Sequence, residues 1–268
     1  MTYELNEEES FFPVQTAAPG TIPVGRVIER LDACLAKNDY AAAERQLRYW
    51  LAEAEQQHDE RGALTVLNEQ IGLYRKLGRM TEGLAAIEKA LPLAEALASG
   101  SRVALATTCI NAATAYRAFD MAEKALPLYR RARTIYEEEL KSEDPRLGGL
   151  YNNMALTVMT FGDFREAEEL FEKALAVMAK QPHGEAEMAI TCLNLADLVS
   201  SECGTEALGE RIEAYLTRAE ELLETEALPR DGYYAFVCEK CAPVFGFYGR
   251  ADTQKKLTER AREIYERA

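Results

Sequence analysis

Six cysteines, two histidines and a recurring set of asparagines are the residues of this 268-residue chain whose types and spacing invite chemistry. Cys238 and Cys241, in "CEKC", stand one helical turn apart, the spacing of half a zinc site; a structural zinc needs four such ligands. His58, in "EQQHDERG", and His183, in "QPHGE", lie far from that pair and from each other. No phosphate loop, dinucleotide fingerprint, nucleophile elbow or metalloprotease motif is present. Paired carboxylates in so acidic a chain read as solvated helix faces. The sequence is therefore read as a non-enzyme, with no metal and no cofactor. The asparagines are different. Asn152 and Asn153 sit inside the apolar helical run 148–175, where an amide competes for backbone hydrogen bonds and lowers helix propensity. An amide offers a donor and an acceptor together, the complement of one peptide unit.

Composition narrows the classes of function. The net charge is −14, with 28% charged residues. A nucleic-acid binder needs clustered Lys and Arg to displace counterions, and an anionic membrane surface makes the same demand. Neither nucleic acid nor membrane is expected as a partner. No apolar run approaches the roughly 20 residues that span a bilayer. The first ten residues, "MTYELNEEES", are acidic where a secretory signal is basic and then hydrophobic. The reading is a cytoplasmic protein, whose thiols a reducing compartment keeps free of disulfides.

The elements that must position the asparagines come from an internal repeat. "NAATAYRAFDMAEKALPLYRRA" (111–132) aligns without a gap on "NMALTVMTFGDFREAEELFEKA" (153–174), an offset of 42 residues. Asn111 falls on Asn153, Ala125 on Ala167 and Tyr129 on Phe171. Stepping back reaches Tyr74 and Arg75, and stepping forward reaches Asn194. Looser copies at 30–47 and 239–257 bring the array to about six, and the fifth carries an insertion near Thr205–Arg211. Each copy reads as helix, turn, helix. Tyr151, Met154, Ala155 and Val158 recur at helical spacing, and so do Ala167, Leu170, Phe171 and Ala174. Gly78 and Gly162 supply left-handed turns between the two helices. Asp144 and Pro145 form a helix start. In this register Cys109, Cys192 and Cys238 share the position of Leu67 and Tyr151, and Cys241 that of Met154, so the thiols read as small core residues. Leu257, Ala261, Ile264 and Tyr265 form the apolar stripe of a closing helix. Pro92, Pro127 and Pro243 fall inside helices and are expected to bend them.

Small-small-aromatic spacing, a glycine turn, then alanine, aromatic and alanine resembles the tetratricopeptide repeat. The longer period, with "NNMA" and "SEDPRL", looks like the lengthened repeats of kinesin light chains and of many bacterial proteins. The resemblance implies an all-α fold, a right-handed α–α superhelix of about six helix–turn–helix repeats and twelve helices, over residues 25–268. Residues 1–24 stand outside it as an acidic segment ending in "FFPV" and "PGTIPV", either a loose tail or a short linear ligand for this chain or a neighbour.

In such arrays first helices line the concave wall, and in the kinesin light chain type equivalent asparagines clamp an extended peptide. That role carries over onto Asn111, Asn153 and Asn194. Helical spacing places Thr107, Thr114 and Ala118 beside the first, Gly149, Leu156 and Thr160 beside the second, and Ile190, Asp197 and Ser201 beside the third. Asn68 and Asn152 occupy the adjacent position. Arg75, its equivalent Arg117, and Lys76 are candidates to receive an acidic side chain or a terminal carboxylate in a bidentate fork. Two readings stay open: a scaffold that binds a protein or peptide in its groove, or a structural protein, a homodimer included, that uses its convex surface or repeat ends while the asparagines stabilise repeat stacking.

Overall fold

The computed structural model describes residues 20–203 and 209–267. Within them all regular structure is helical, in twelve helices: α1 (Val24–Ala36), α2 (Tyr40–Gln56), α3 (Glu60–Lys76), α4 (Met80–Leu97), α5 (Arg102–Ala118), α6 (Ala122–Glu139), α7 (Pro145–Met159), α8 (Phe164–Met178), α9 (Glu185–Cys203), α10 (Gly209–Glu224), α11 (Gly232–Phe247) and α12 (Ala251–Arg267). The chain divides into two compact units between Leu140 and Lys141. The first holds hairpins α1–α2, α3–α4 and α5–α6, with α2 on α3, α4 on α5, and the first helices α3 and α5 touching directly. The second repeats the plan with α7–α8, α9–α10 and α11–α12, where α8 packs on α9 and α9 touches both α7 and α11. Residues 1–19 and most of the fifth-copy insertion lie outside the described residues.

Local chemistry accounts for the hairpins. Asp39, Asp59, Asp144, Asp163 and Asp231 each accept a backbone N–H from the first turn of the helix they precede, and Ser101 does the same for α5. Such caps satisfy donors that would otherwise be orphaned. At the tight turns the backbone enters the left-handed region at Asn38, Gly78, Asp120, Gly162 and Gly249. The expectation for Gly78 and Gly162 is met, with Asn and Asp, the residues that tolerate this conformation best after glycine, at two equivalent turns. His58 and His183 hold the same left-handed backbone (φ 57° and 60°) at connections between hairpins, both exposed. Their place in the chain is thereby a conformational one.

Packing follows the period. Ala125, Ala132, Ala167 and Ala174 are fully buried, so second helices approach first helices closely, while Tyr129, Tyr136, Phe171 and Phe245 fill the space beside them. Gly83 is the register equivalent of Ala125 and Ala167. A Cβ there would meet the Phe119 ring at 2.8 Å, which is why this copy carries glycine. Pro92, Pro127 and Pro243 lie inside α4, α6 and α11 without ending them. All three are exposed, so the carbonyl each leaves without a helical donor sits on the solvent side. In α12, Leu257 and Ala261 are buried as the stripe requires; Tyr265 is 42% exposed, with its hydroxyl bonded to Glu239. No described helix is long and apolar enough to cross a membrane.

Candidate functional site

The asparagines pair with each other, and they do so in the same way in both units. In the first, Asn111 Nδ2 on α5 donates to Asn68 Oδ1 on α3 at 3.1 Å. Asn68 Nδ2 in turn donates to Thr108 Oγ1 and to the Leu64 carbonyl, both at 3.1 Å. In the second, Asn194 Nδ2 on α9 donates to Asn152 Oδ1 on α7 at 2.9 Å, and Thr191 Oγ1 approaches the same oxygen at 3.3 Å. Donor and acceptor lie one repeat apart, so each bond ties a first helix to the preceding first helix. All four asparagines are half-buried, where a satisfied amide is worth more than in water and an orphaned one costs more.

Asn153 departs from this pattern. Its register equivalents Asn111 and Asn194 find an acceptor at Asn68 and Asn152; the acceptor position preceding Asn153 is Ile110, which has none. Among the described residues its side chain makes no hydrogen bond, while its carbonyl accepts from Thr157 Oγ1. Asn111 Oδ1 and Asn152 Nδ2 likewise have no partner among the described residues.

Thr114 is interior. It is 1% exposed, and its hydroxyl lies 2.8 Å from Tyr129 Oη and 2.8 Å from the Ile110 carbonyl. Three residues along a helix is a turn of about 300°, and this rotates Thr114 from the open face toward α6. Thr107 is similarly engaged, 2.8 Å from Tyr136 Oη. Asp197 accepts the Tyr248 hydroxyl at 2.9 Å, joining α9 to α11. Burial raises its carboxyl above the ordinary range, opposed by that hydrogen bond, and burial with the nearby carboxylate pushes the Tyr248 phenol up to about 12. Glu187 accepts Tyr233 Oη at 2.6 Å across the same two helices and is also raised, chiefly by burial.

Arg75, Lys76 and Arg117 occupy the last turns of α3 and α5, where the helix dipole favours cations. All three are half-buried. Lys76 Nζ stands 5.0 Å from the centre of the Tyr40 ring, a cation–π distance. Arg117 is unusual in so acidic a chain. Its Nε is buried with no hydrogen-bond partner, and among the described residues it makes no ion pair. Arg79, just before α4, shows the ordinary outcome, bonded to both Glu44 and Glu82.

The sequence reading missed Thr108 and Thr191, which complete the asparagine pairs, and Tyr233 and Tyr248, which hold the carboxylates of α9. A signal for the first was present: Asn68, Thr108 and Asn111 recur two repeats later as Asn152, Thr191 and Asn194. Cys109, Cys192, Cys238 and Cys241 are buried, as their register requires. Burial pushes the Cys109 and Cys192 thiols up to about 11, opposite to the shift that makes a cysteine reactive. Among the described residues no three His, Cys, Asp or Glu side chains are grouped to hold a metal ion.

A chain built of helical hairpins at a 42-residue period, with small residues at the helix crossings and left-handed turns, is an all-α repeat solenoid in class. Family models described as tetratricopeptide repeat match residues 62–138 and 148–180. These matches identify the hairpins over those residues as tetratricopeptide repeats, a fold that serves as a protein-interaction scaffold in proteins that are generally non-catalytic. Among solved structures it is similar to BtubC (BKLC) from P. vanneervenii, with 22% identity and a TM-score of 0.64 over 75% of this chain and 81% of that one. A Podospora anserina protein of nearly identical repeats, described as a putative kinesin light chain, aligns at 21% identity and TM-score 0.54 over 77% and 95%. The apo form of the quorum sensor NprR from B. thuringiensis aligns at 15% identity and TM-score 0.57 over 93% and 66%. At these identities the likeness is one of fold. None of the curated proteins compared by sequence matches the chain.

Proposed function

We propose that this protein is a non-catalytic cytoplasmic scaffold that holds an extended segment of a partner protein, with the α3–α5 face of the first unit receiving an acidic group. Arg117 is the observation that carries the reading. A half-buried guanidinium whose Nε has no partner among the described residues is costly to leave so, and a carboxylate is the group that satisfies it in a bidentate fork. Arg75 and Lys76 add cations on the neighbouring helix end, and Asn111 Oδ1 remains to accept a peptide N–H. Asn153, and Asn152 through its Nδ2, offer the same kind of contact on the second unit, while Asn68, Thr114 and Asp197 position the helices and do not touch the ligand.

The second reading is a structural role in which the asparagines serve stacking alone and contacts, self-association included, are made elsewhere. It is favoured by the two inter-helix amide bonds from Asn111 and Asn194. Selection from a random peptide-display library on the immobilised chain separates the two. Enriched sequences should carry Asp, Glu or a free C-terminal carboxylate, and their peptides should bind Arg117→Ala at least tenfold more weakly at unchanged helical content. Equal binding by wild type and Arg117→Ala overturns the proposal.

A further inference from the structure

A hollow of about 480 Å³ opens on the first unit, among the end of α2, the start of α3 and the middle of α4. Its floor is apolar: Ala54, Ala63 and Leu67 are buried there, with Leu93 beside them. Its rim is acidic, with Glu55, Asp59, Glu60 and Glu88 set against Lys89 and the exposed His58. Asp59 is committed to the backbone N–H groups of Ile22 and Gly62, both at 2.9 Å. Lys89 reaches Glu55 at 3.4 Å with both side chains more than half exposed, a pair of the kind worth little in water.

A second, independent feature comes from the backbone. Pro92 lines the hollow inside α4. Having no N–H, it leaves the carbonyl of Glu88, four residues back, without a helical donor. The freed carbonyl thus belongs to a residue that itself lines the hollow, beside the carboxylates of its rim. A hollow with those properties fits a donor-rich cation on an aliphatic stem, since arginine and lysine lay their methylenes on apolar surface while the head group stays among acceptors. Its volume is in the range of about 300–1,000 Å³ that takes a small ligand group.

We propose that this hollow is a docking site for a basic segment of a partner protein, which inserts an arginine or lysine over Leu67 and Leu93 toward Glu60, Glu88 and the Glu88 carbonyl. The hollow's lining shares no residue with those assigned to the α3–α5 face, and the proposal does not depend on that reading. It is tested on the full chain by following the methyl resonances of Leu67 and Leu93 while titrating two capped pentapeptides, Ala-Leu-Arg-Leu-Ala and the same sequence with citrulline for arginine. The arginine peptide should shift both methyls and bind at least tenfold more tightly than the citrulline peptide. Glu60→Gln with Glu88→Gln should weaken it at least fivefold. Pro92→Ala, which returns a donor to the Glu88 carbonyl and favours the helix, should weaken it about threefold. Equal affinity of the two peptides, shifts confined to other methyls, or indifference to both variants overturns the assignment. Arg117→Ala should leave this titration unchanged, so failure here and failure of the α3–α5 reading are distinguishable.

Discussion

The bond between Asn68 and Asn111 can be isolated by a double-mutant cycle, and single substitutions would mislead. Asn111→Ala removes one hydrogen bond of 3.1 Å between half-buried amides, a loss of about 1 kcal/mol net. The same substitution replaces a poor helix former with the best one and regains up to about 0.7 kcal/mol. The variant should therefore be nearly as stable as wild type. Asn68→Ala removes three bonds, to Asn111, Thr108 and the Leu64 carbonyl, and should lose about 2 kcal/mol after the same propensity gain. Propensity cancels in the cycle because it enters once with each substitution. The shared bond is counted in both singles and only once in the double. The double variant should thus be about 1 kcal/mol less destabilised than the two singles added together. Urea unfolding followed by circular dichroism reads this as about half a molar in midpoint. Additivity within about 0.3 kcal/mol would refute the pairing and return both amides to the solvent face.

Other outcomes follow from the same geometry. Gly78→Ala and Gly162→Ala, at φ +65° and +77°, should each cost about 1 kcal/mol by urea unfolding because a Cβ is disfavoured in the left-handed region; Asp120→Gly, at φ +56°, should stabilise. Gly83→Ala forces a Cβ against the Phe119 ring and should cost about 1–3 kcal/mol, a loss that Phe119→Leu in the same chain partly relieves. In the second unit two carboxylates should shape the pH dependence oppositely. Asp197 is raised on folding by burial, so its contribution is greatest when protonated and declines as pH rises through its raised value; Asp197→Asn should flatten that decline in urea midpoints above about pH 4. Glu224 is held at about 2, first by Arg260, which bonds to it at 2.7 Å, with Lys256 also contributing. Its contribution is present above the ordinary value of 4.5 and lost as pH falls toward 2, and Glu224→Gln should remove that part of the acid limb.

Much of the fold was legible because its signals are local or periodic. Asp144 before Pro145 marks a helix start, Gly78 and Gly162 mark turns, and Cys109 and Cys192 inherit burial from their register; each needs only a few neighbouring residues or one step of the repeat. Pro92, Pro127 and Pro243 stand on exposed sides of helices that continue past them. The candidate site was legible only in part. Asn68 stands at the position adjacent to that of Asn111 in the repeat, yet it is the residue that receives Asn111 and makes three bonds. Thr114 shares a nominal face with Asn111 and is buried against Tyr129.

The sequence by itself determined the helical hairpin, its 42-residue recurrence, its resemblance to the tetratricopeptide repeat, and which residue types stand at the helix crossings, because apolar periodicity and capping act within a repeat. The tertiary structure alone decided what each polar side chain does there. Whether an amide faces solvent or a neighbouring helix depends on an acceptor some 40 residues away and on its rotamer, and neither is a periodic property. Asn68 accepts from Asn111, while at the next copy Ile110 stands in the accepting position and Asn153 keeps its amide. Among the described residues Arg117 finds no carboxylate, where Arg79 finds two. A charge in an acidic chain is paired by geometry, and composition does not supply it.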